Sequence, residues 1–139
     1  MRAMVDANVL LDVFQDRHPF YVYSAQVATI VIAGHASGIV PAHVLTTVYY
    51  IVAKSSGRTA AIGAVDWILE HFGIADANLG IFQHARRLPM KDFEDAVVVA
   101  MAVETGCDII VTRNVADFAN SPVSVVTPPE FFARVRDSL

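Results

Sequence analysis

Three aspartates are the residues best suited to chemistry, because the predicted elements gather them at one edge of a sheet. Asp6 follows the apolar run 3–5, Asp95 lies in the first turn of a predicted helix, and Asp117 follows the predicted strand 109–111. Carboxylates that lie close together without a counter-charge have raised pKa values, so such a cluster normally holds a divalent cation. Oxygen ligands favour Mg²⁺ or Mn²⁺, which can activate water for attack on a phosphodiester. Hydrolytic phosphoryl transfer is therefore the expected chemistry.

Each aspartate also has a structural explanation. Asp6 and Asn8 could cap the helix that follows them, as short polar residues commonly do. Asp92 and Asp95 form a D-x-x-D pair at a helix start, and capping is the preferred interpretation of Asp92. Asp95 is harder to explain in this way, because it precedes the segment 96–102, which is apolar on every side and must be buried. A carboxylate at the head of that segment lies near the core.

Other catalytic patterns are missing from the sequence. There is no G-x-x-x-x-G-K-[ST] loop, no G-x-G-x-x-G fingerprint and no G-x-S-x-G elbow. No two histidines have the spacing of a metal-ligand pair on one helix, so all five are interpreted as structural or surface residues. They are His18, His35, His43, His71 and His84. The basic stretch 84–87 with Lys91 is either a solvated helix end or a contact for the phosphate backbone of a nucleic acid.

Composition narrows the class of protein. The length of 139 residues fits one domain, spanning residues 1–139, and the formal net charge of −4 gives no global basic field for nucleic acid. Cys107 is the only cysteine, which excludes an internal disulfide and favours a cytoplasmic location. Hydrophobic residues make up 55% of the chain, yet no apolar run is long enough to cross a membrane. We therefore expect another subunit or a partner protein to cover part of the apolar surface.

The elements that position these residues are predicted from hydrophobic periodicity and turn residues. Strands are predicted at residues 3–5, 39–40, 73–75, 109–111 and 123–126. Helices are predicted at residues 9–14, from Pro19 to near Gly34, at 42–54, 59–71, 77–87 and 92–104, and from Pro128 onwards. Such alternation favours an α/β sandwich with a mainly parallel sheet. Ligands of these sheets bind beyond the carboxyl ends of the strands, where Asp6 and the Arg113–Asn114 pair lie.

Three segments resemble the PIN domain family, and in particular its VapC-like group of toxin–antitoxin ribonucleases. They are MVDANVLLDVF at 4–14, KDFEDAVVVAMAVETGCDIIVTRNVADF at 91–118 and TPPEFF at 127–132. Each segment alone is modest in specificity, but their order and spacing match the family over essentially the whole chain. The resemblance implies a Rossmann-like α/β/α fold and cleavage of RNA that depends on Mg²⁺ or Mn²⁺. It also implies homodimerisation and inhibition by a cognate antitoxin protein.

Carried over position by position, the resemblance identifies the acids expected to bind metal. Asp6 matches the first acid of the family, and Asp95 matches the third, in the FEDA segment. Asn114 falls where a fourth acid is common, and Asp117 lies close enough to supply that carboxylate. Asp6, Asp95 and Asp117 are therefore the predicted metal ligands, with Glu94 as a further one.

One position departs from the family pattern. The second acid is usually a Glu in the helix after the second strand, and Thr47 stands there instead. Glu94 or Asp92 would have to compensate, by ligating the metal directly or through water. The site then has fewer charges, which favours one bound metal over two.

Residues beside the acids are expected to orient the substrate. Thr112 resembles the hydroxyl that the family places at a strand end, near the metal or the scissile phosphate. Asn114 would help to orient the attacking water or the RNA. Arg113 and Lys91 are the predicted RNA contacts.

Two other functions stay open. Because Thr47 replaces an acid, the chain could be a PIN-fold module that binds RNA or a partner without turnover. A phosphotransfer domain of the receiver or haloacid-dehalogenase kind also carries an Asp after its first strand. Those domains need a lysine at a late strand end, whereas Lys54 and Lys91 are the only lysines and neither is so placed. The Asp6-Ala7-Asn8 segment also lacks the second Asp of the dehalogenase motif.

Overall fold

A single parallel sheet of five short strands forms the centre of the molecule. The computed structural model describes residues 1–139. The strands are β1 (Arg2–Val5), β2 (Ser37–Pro41), β3 (Gly73–Ala75), β4 (Ile109–Val111) and β5 (Ser124–Val126). Their order across the sheet is β3-β2-β1-β4-β5, and every neighbouring pair is parallel. The predicted α/β fold with a parallel sheet is confirmed.

Helices cover both faces of this sheet. They are α1 (Ala7–Phe14), α2 (Tyr21–Ile32), α3 (Ala42–Ser56), α4 (Arg58–His71), α5 (Leu79–Arg87), α6 (Phe93–Glu104) and α7 (Pro128–Asp137). Helices α1 to α4 and α7 share one hydrophobic core with the sheet, and α5 and α6 share the other. This arrangement is the predicted α/β/α sandwich. No helix combines the length and the apolar composition that crossing a membrane requires.

Successive side chains of β1 point to opposite faces of the sheet and therefore pack in different cores. Val5 belongs to the core with α1 to α4, and Met4 belongs to the core with α5 and α6. Helix α6 is apolar on every side, as the sequence predicts, and its residues 96–102 are all buried. The head of α6 is thereby fixed against the carboxyl edge of the sheet, where the candidate acids lie.

The switch point of the sheet lies at β1. From β1 the chain builds outward to β2 and β3 on one side, and then adds β4 and β5 on the other. Val5 lies beside Val111 in register. The backbone N–H of Asp6 donates to the carbonyl oxygen of Val111 at 3.0 Å. Asp6 and Thr112, the next residues on the two strands, therefore lie side by side at the switch point, where open α/β sheets bind ligands.

Some element boundaries differ from the sequence prediction. Helix α1 begins two residues early because Asp6, not Asn8, is its N-cap. Helix α5 begins at Leu79, since the side chain of Asn78 accepts a hydrogen bond from the N–H of Ile81. The 3₁₀ helix Val115–Phe118 was not predicted, because a single turn is too short to produce a hydrophobic period.

Two glycines provide a matched test of the packing. A Cβ on Gly38 of β2 would lie 2.6 Å from a ring carbon of Phe72 and 2.9 Å from a methyl of Val31, whereas a Cβ on Gly63 of α4 meets nothing within 4 Å. We expect Gly38→Ala to lower the free energy of unfolding by ~1–3 kcal/mol through overpacking. Gly63→Ala should raise it by ~0.5–1 kcal/mol. Urea denaturation measures both, and a Gly38→Ala protein as stable as the wild type would contradict this account.

Candidate active site

Asp6 is the most firmly held acid of the candidate site. As the N-cap of α1, its Oδ1 accepts a hydrogen bond from the N–H of Ala7 at 2.9 Å. Its Oδ2 accepts from Thr112 Oγ1 at 2.8 Å and from Asn8 Nδ2 at 3.2 Å. The half-buried carboxylate is therefore fixed by both strands of the switch point, because Ala7 and Asn8 follow β1 and Thr112 follows β4.

Thr112 and Asn8 tie the two loops of the edge together. The fully buried Thr112 hydroxyl donates to Asp6 and accepts from Asn8 Nδ2 at 3.3 Å and from the N–H of Asn114 at 3.1 Å. The side-chain oxygen of Asn8 accepts from the N–H of Arg113 at 3.2 Å. The predicted place of Thr112 at the strand end is correct. Asn8 was expected only as a cap, and its link to the second loop was missed.

Asp95 lies at the start of α6, half-buried. The side chain of Asp92 accepts a hydrogen bond from the N–H of Asp95 at 2.9 Å, which confirms Asp92 as the N-cap. Burial, and then repulsion from other carboxylates, raises the pKa of Asp95 to about 7. The repelling carboxylates are Asp92, Asp6, Asp117 and Glu94. The charge of Asp95 is thus coupled to every other acid predicted for the site.

The same electrostatic environment acts on Asp6. Burial raises its pKa above the usual range, and the charge of Asp117 adds to the rise. The hydrogen bonds from Thr112 and Ala7 oppose it, as does the charge of His43. The site therefore concentrates carboxylates whose ionised forms are costly, which is the condition that a bound cation relieves.

A cleft joins the remaining acids. It has a volume of about 360 Å³ and is lined by Lys91, Asp92, Asp95, Asp117 and Asn120, among others. Asp117 lies in the 3₁₀ helix, exposed, and its N–H donates to the carbonyl oxygen of Asn114. Lys91, a predicted RNA contact, is the one basic residue of this lining.

The chemistry of these donors fits a hard divalent cation, since carboxylate oxygens are the ligands that Mg²⁺ and Mn²⁺ prefer. However, no three histidine, cysteine, aspartate or glutamate side chains converge closely enough to hold a metal ion in the present arrangement. Coordination would require the side chains to draw together.

Thr47 and its surroundings show how the departure from the family pattern is accommodated. The Thr47 hydroxyl donates to the backbone carbonyl of His43, one turn earlier in α3, at 3.2 Å. His43 Nε2 lies 3.6 Å from Glu94 Oε1, and it is buried without a hydrogen-bond partner. The sequence interpretation of His43 as a structural or surface residue missed this position. The available signal was its place just after the strand next to β1.

Arg113 is anchored away from the acids. Its Nε donates to Asp12 Oδ2 at 2.7 Å, and its guanidinium lies 4.0 Å from the ring centroid of Phe20. Asp12 on α1 is fully buried and also accepts from Ser24 Oγ at 2.9 Å. Sequence reasoning missed Asp12, because an aspartate in an amphipathic helix is usually solvated. A buried carboxylate needs such a partner to remain charged.

Comparison with known proteins identifies the family. The family model described as "PIN domain" matches residues 2–116. Ribonuclease VapC1 of Aquifex aeolicus (strain VF5) is 31% identical in an alignment of 137 positions that covers 96% of this chain and 94% of that protein. The family model spans strands β1 to β4 and includes Asp6, Asp92, Glu94 and Asp95, and it ends one residue before Asp117.

Solved structures show the same fold. VapBC2 from Rickettsia felis, bound to a DNA fragment from its promoter, contains a chain with a TM-score of 0.71 and 17% identity, covering 91% of this chain and 98% of that one. A toxin–antitoxin complex from Klebsiella pneumoniae gives a TM-score of 0.68 at 24% identity, covering 91% and 97%. With the sequence match and the switch-point acids, these likenesses lead to one conclusion: the chain belongs to the PIN domain family and is a VapC-like member of it.

Proposed function

We propose that this protein is a metal-dependent endoribonuclease and the toxin of a toxin–antitoxin pair. The observation that carries the proposal is the electrostatic coupling of two half-buried carboxylates, Asp6 after β1 and Asp95 at the start of α6, both with a raised pKa. The 31% identity to a protein named Ribonuclease VapC1 supplies the substrate class. Phosphodiester hydrolysis is the chemistry that such a site suits.

Each acid has a distinct part in the proposal. Asp6, Asp95 and Asp117 hold the cation, Mg²⁺ or Mn²⁺, and Glu94 is a further ligand. When bound, the cation supplies a water of lowered pKa and neutralises charge that develops on the phosphate. Thr112 keeps Asp6 in one orientation through their 2.8 Å hydrogen bond. Asn114, exposed at the same loop, orients the RNA or the attacking water.

In this proposal a residue at the start of α6 compensates for the missing acid at Thr47. Asp92 is the weaker candidate, because its Oδ1 already caps α6. Glu94 is 73% exposed and free to move, and His43 Nε2 lies beside it. We therefore assign Glu94 as the replacement, because its carboxylate is the kind of oxygen ligand that Mg²⁺ and Mn²⁺ prefer.

The proposal also includes an RNA substrate and two protein partners. The RNA contacts fall to Lys91, in the cleft lining, and to Arg113. A homodimer and a cognate antitoxin are supported by the exposed apolar side chains on the outer helices, since such surface usually marks an interface. These side chains include Val22, Ile32, Tyr50, Leu69, Leu79 and Phe82.

A PIN-fold module without turnover is the second candidate function. It is favoured by Thr47 and by the absence of three converging ligands. Titration with Mn²⁺ separates the two functions, with the thermal midpoint of unfolding as the readout. A rise with Mn²⁺ that is smaller in Asp95→Asn supports the nuclease, whereas no rise at all supports the module.

Removal of either central acid should abolish cleavage. We expect Asp6→Asn and Asp95→Asn to lower kcat/KM for RNA by about 100-fold or more, because each loses a charge that holds the cation. Asp66→Asn, an exposed change on α4, is the matched control and should leave the rate unchanged. Fluorescent RNA cleavage with Mg²⁺, Mn²⁺ or a chelator measures this. Equal rates in all four proteins would refute the assignment.

The titration of Asp95 provides an independent test of the site. Its pKa is raised to about 7 in the folded protein, so the stability it contributes is present at acid pH and is lost as the pH rises towards and through 7. The free energy of unfolding should fall less over this window in Asp95→Asn than in the wild type. Carbon-13 NMR of the side-chain carboxyls should locate the Asp95 titration directly.

Two changes should move that titration in the same direction. Asp92→Asn keeps a capping side chain but removes a repelling charge, so the pKa of Asp95 should fall. Addition of Mn²⁺ or Mg²⁺ should lower it as well, and Mg²⁺ avoids the paramagnetic broadening of the NMR signal. An Asp95 titration unaffected by either change would show that the carboxylates do not form one site.

A further inference from the structure

A second cavity lies at the carboxyl edge of the sheet, beyond Arg113 from the acids. Its volume is about 310 Å³, and it opens between the loop that precedes α2 and the start of α7. Its walls are mainly rings, supplied by Pro19, Phe20, Tyr23 and Pro128, with the guanidinium of Arg113. We call this cavity the Arg113 pocket. Nothing in the proposed hydrolysis uses it.

Arg113 presents its free donors in this pocket. Its Nε donates to the buried carboxylate of Asp12, and its plane lies over the ring of Phe20. No acceptor in the protein takes a hydrogen bond from the two terminal Nη nitrogens. Asp12 and Phe20 therefore fix the position of the guanidinium, while its two Nη nitrogens stay available to a planar acceptor.

The chemistry of the pocket matches a nucleobase better than a phosphate. The charge of Arg113 is already paired with that of Asp12. Most of the remaining wall is apolar, with Ser24 and Thr127 as the exceptions, and it would leave a phosphate poorly solvated. An unpaired base offers a flat face that stacks on aromatic rings, and an edge that accepts hydrogen bonds. Guanine presents O6 and N7 side by side, the pair that an arginine fork recognises most often.

The position of the pocket connects it to the site. Arg113 follows Thr112 directly, and Thr112 hydrogen-bonds Asp6. The pocket and Asp6 are therefore linked through adjacent residues of one loop, 112 and 113. This continuity, together with the free donors, favours RNA over an apolar side chain of a protein partner.

We propose that the Arg113 pocket binds one unpaired base of the RNA, with a preference for guanine, beside the phosphodiester that is cleaved. Tyr23 stacks on the base, and Arg113, held over the ring of Phe20, reads its edge. The inference deepens the proposed ribonuclease function and rests on it for the identity of the substrate.

The test compares two short single-stranded RNAs in binding, with Ca²⁺ in place of the catalytic cation. One is an oligouridine, and the other carries a single central guanosine. We expect the guanosine RNA to bind the wild type about tenfold more tightly by fluorescence anisotropy. Tyr23→Ala should remove most of that difference. Tyr49→Ala, which changes an exposed tyrosine on α3, is the matched control and should keep it.

The Arg113→Lys variant distinguishes hydrogen bonding to the base from electrostatic attraction of the phosphate. The variant keeps the charge and loses the fork, so it should bind both RNAs with the affinity that the wild type has for oligouridine. Circular dichroism and the thermal midpoint establish that each variant is folded, which is expected for Tyr23→Ala because the residue is 48% exposed. A guanosine preference that survives in both folded variants overturns the proposal.

Two further outcomes are distinguishable. If Tyr23→Ala weakens binding of a co-purified protein partner and leaves the RNA ratio unchanged, the pocket belongs to that partner and the proposal is wrong. If the guanosine preference depends on Tyr23 and Arg113 while no RNA is cleaved with Mg²⁺ or Mn²⁺, the pocket stands and the proposed catalytic function fails.

Discussion

The parallel pairing of β1 with β4 is the contact on which the site depends. It joins strands that are over a hundred residues apart in sequence, and it sets Val5 beside Val111. The next residue of each strand is then delivered to the same edge, so that the Thr112 hydroxyl reaches the carboxylate of Asp6. If this register slipped by one residue, the side chains of Asp6 and Thr112 would lie on opposite faces of the sheet. Such a slip is prevented because Met4 and Val5 are buried in the two different cores, and each side chain would have to leave its own core.

The acids are kept at this edge against their own electrostatics. Helix α6 is buried along its length, so the carboxylate at its head is drawn into a poorly solvated position. Asp6 is held in the same region by hydrogen bonds that favour its charged form, while burial opposes that form. The fold thus keeps carboxylates that are costly to ionise at the place where a cation would bind. Such sites, which lower stability for the sake of function, are common in proteins.

Much of the fold was predictable, because it depends on local patterns. The apolar runs of β1 and β4 and the fully apolar α6 have periods that a sequence displays, and they carry Asp6, Thr112 and Asp95 to their places. The cap at Asp92 was equally readable, since capping involves residues three positions apart. The likeness of whole segments to a known family strengthened these local inferences.

The parts that escaped prediction depend on contacts between distant elements. Asp12 meets Arg113 only because α1 crosses the edge near the end of β4, and nothing in the spacing of either residue reveals that meeting. His43 reaches Glu94 because α3 and α6 begin at the same edge of the sheet. Side-chain pairs of this kind are set by the packing angles of helices, which hydrophobic periodicity does not encode.

The shortness of the outer strands has a consequence for association. Strands β3 and β5 have three residues each and form the two borders of the sheet. Such borders expose few unpaired backbone groups, so another chain finds little template for adding a strand. Assembly with a second copy or with another protein is therefore directed to the helical surfaces, where side chains rather than backbone hydrogen bonds choose the partner. The same shortness protects the protein from edge-to-edge aggregation.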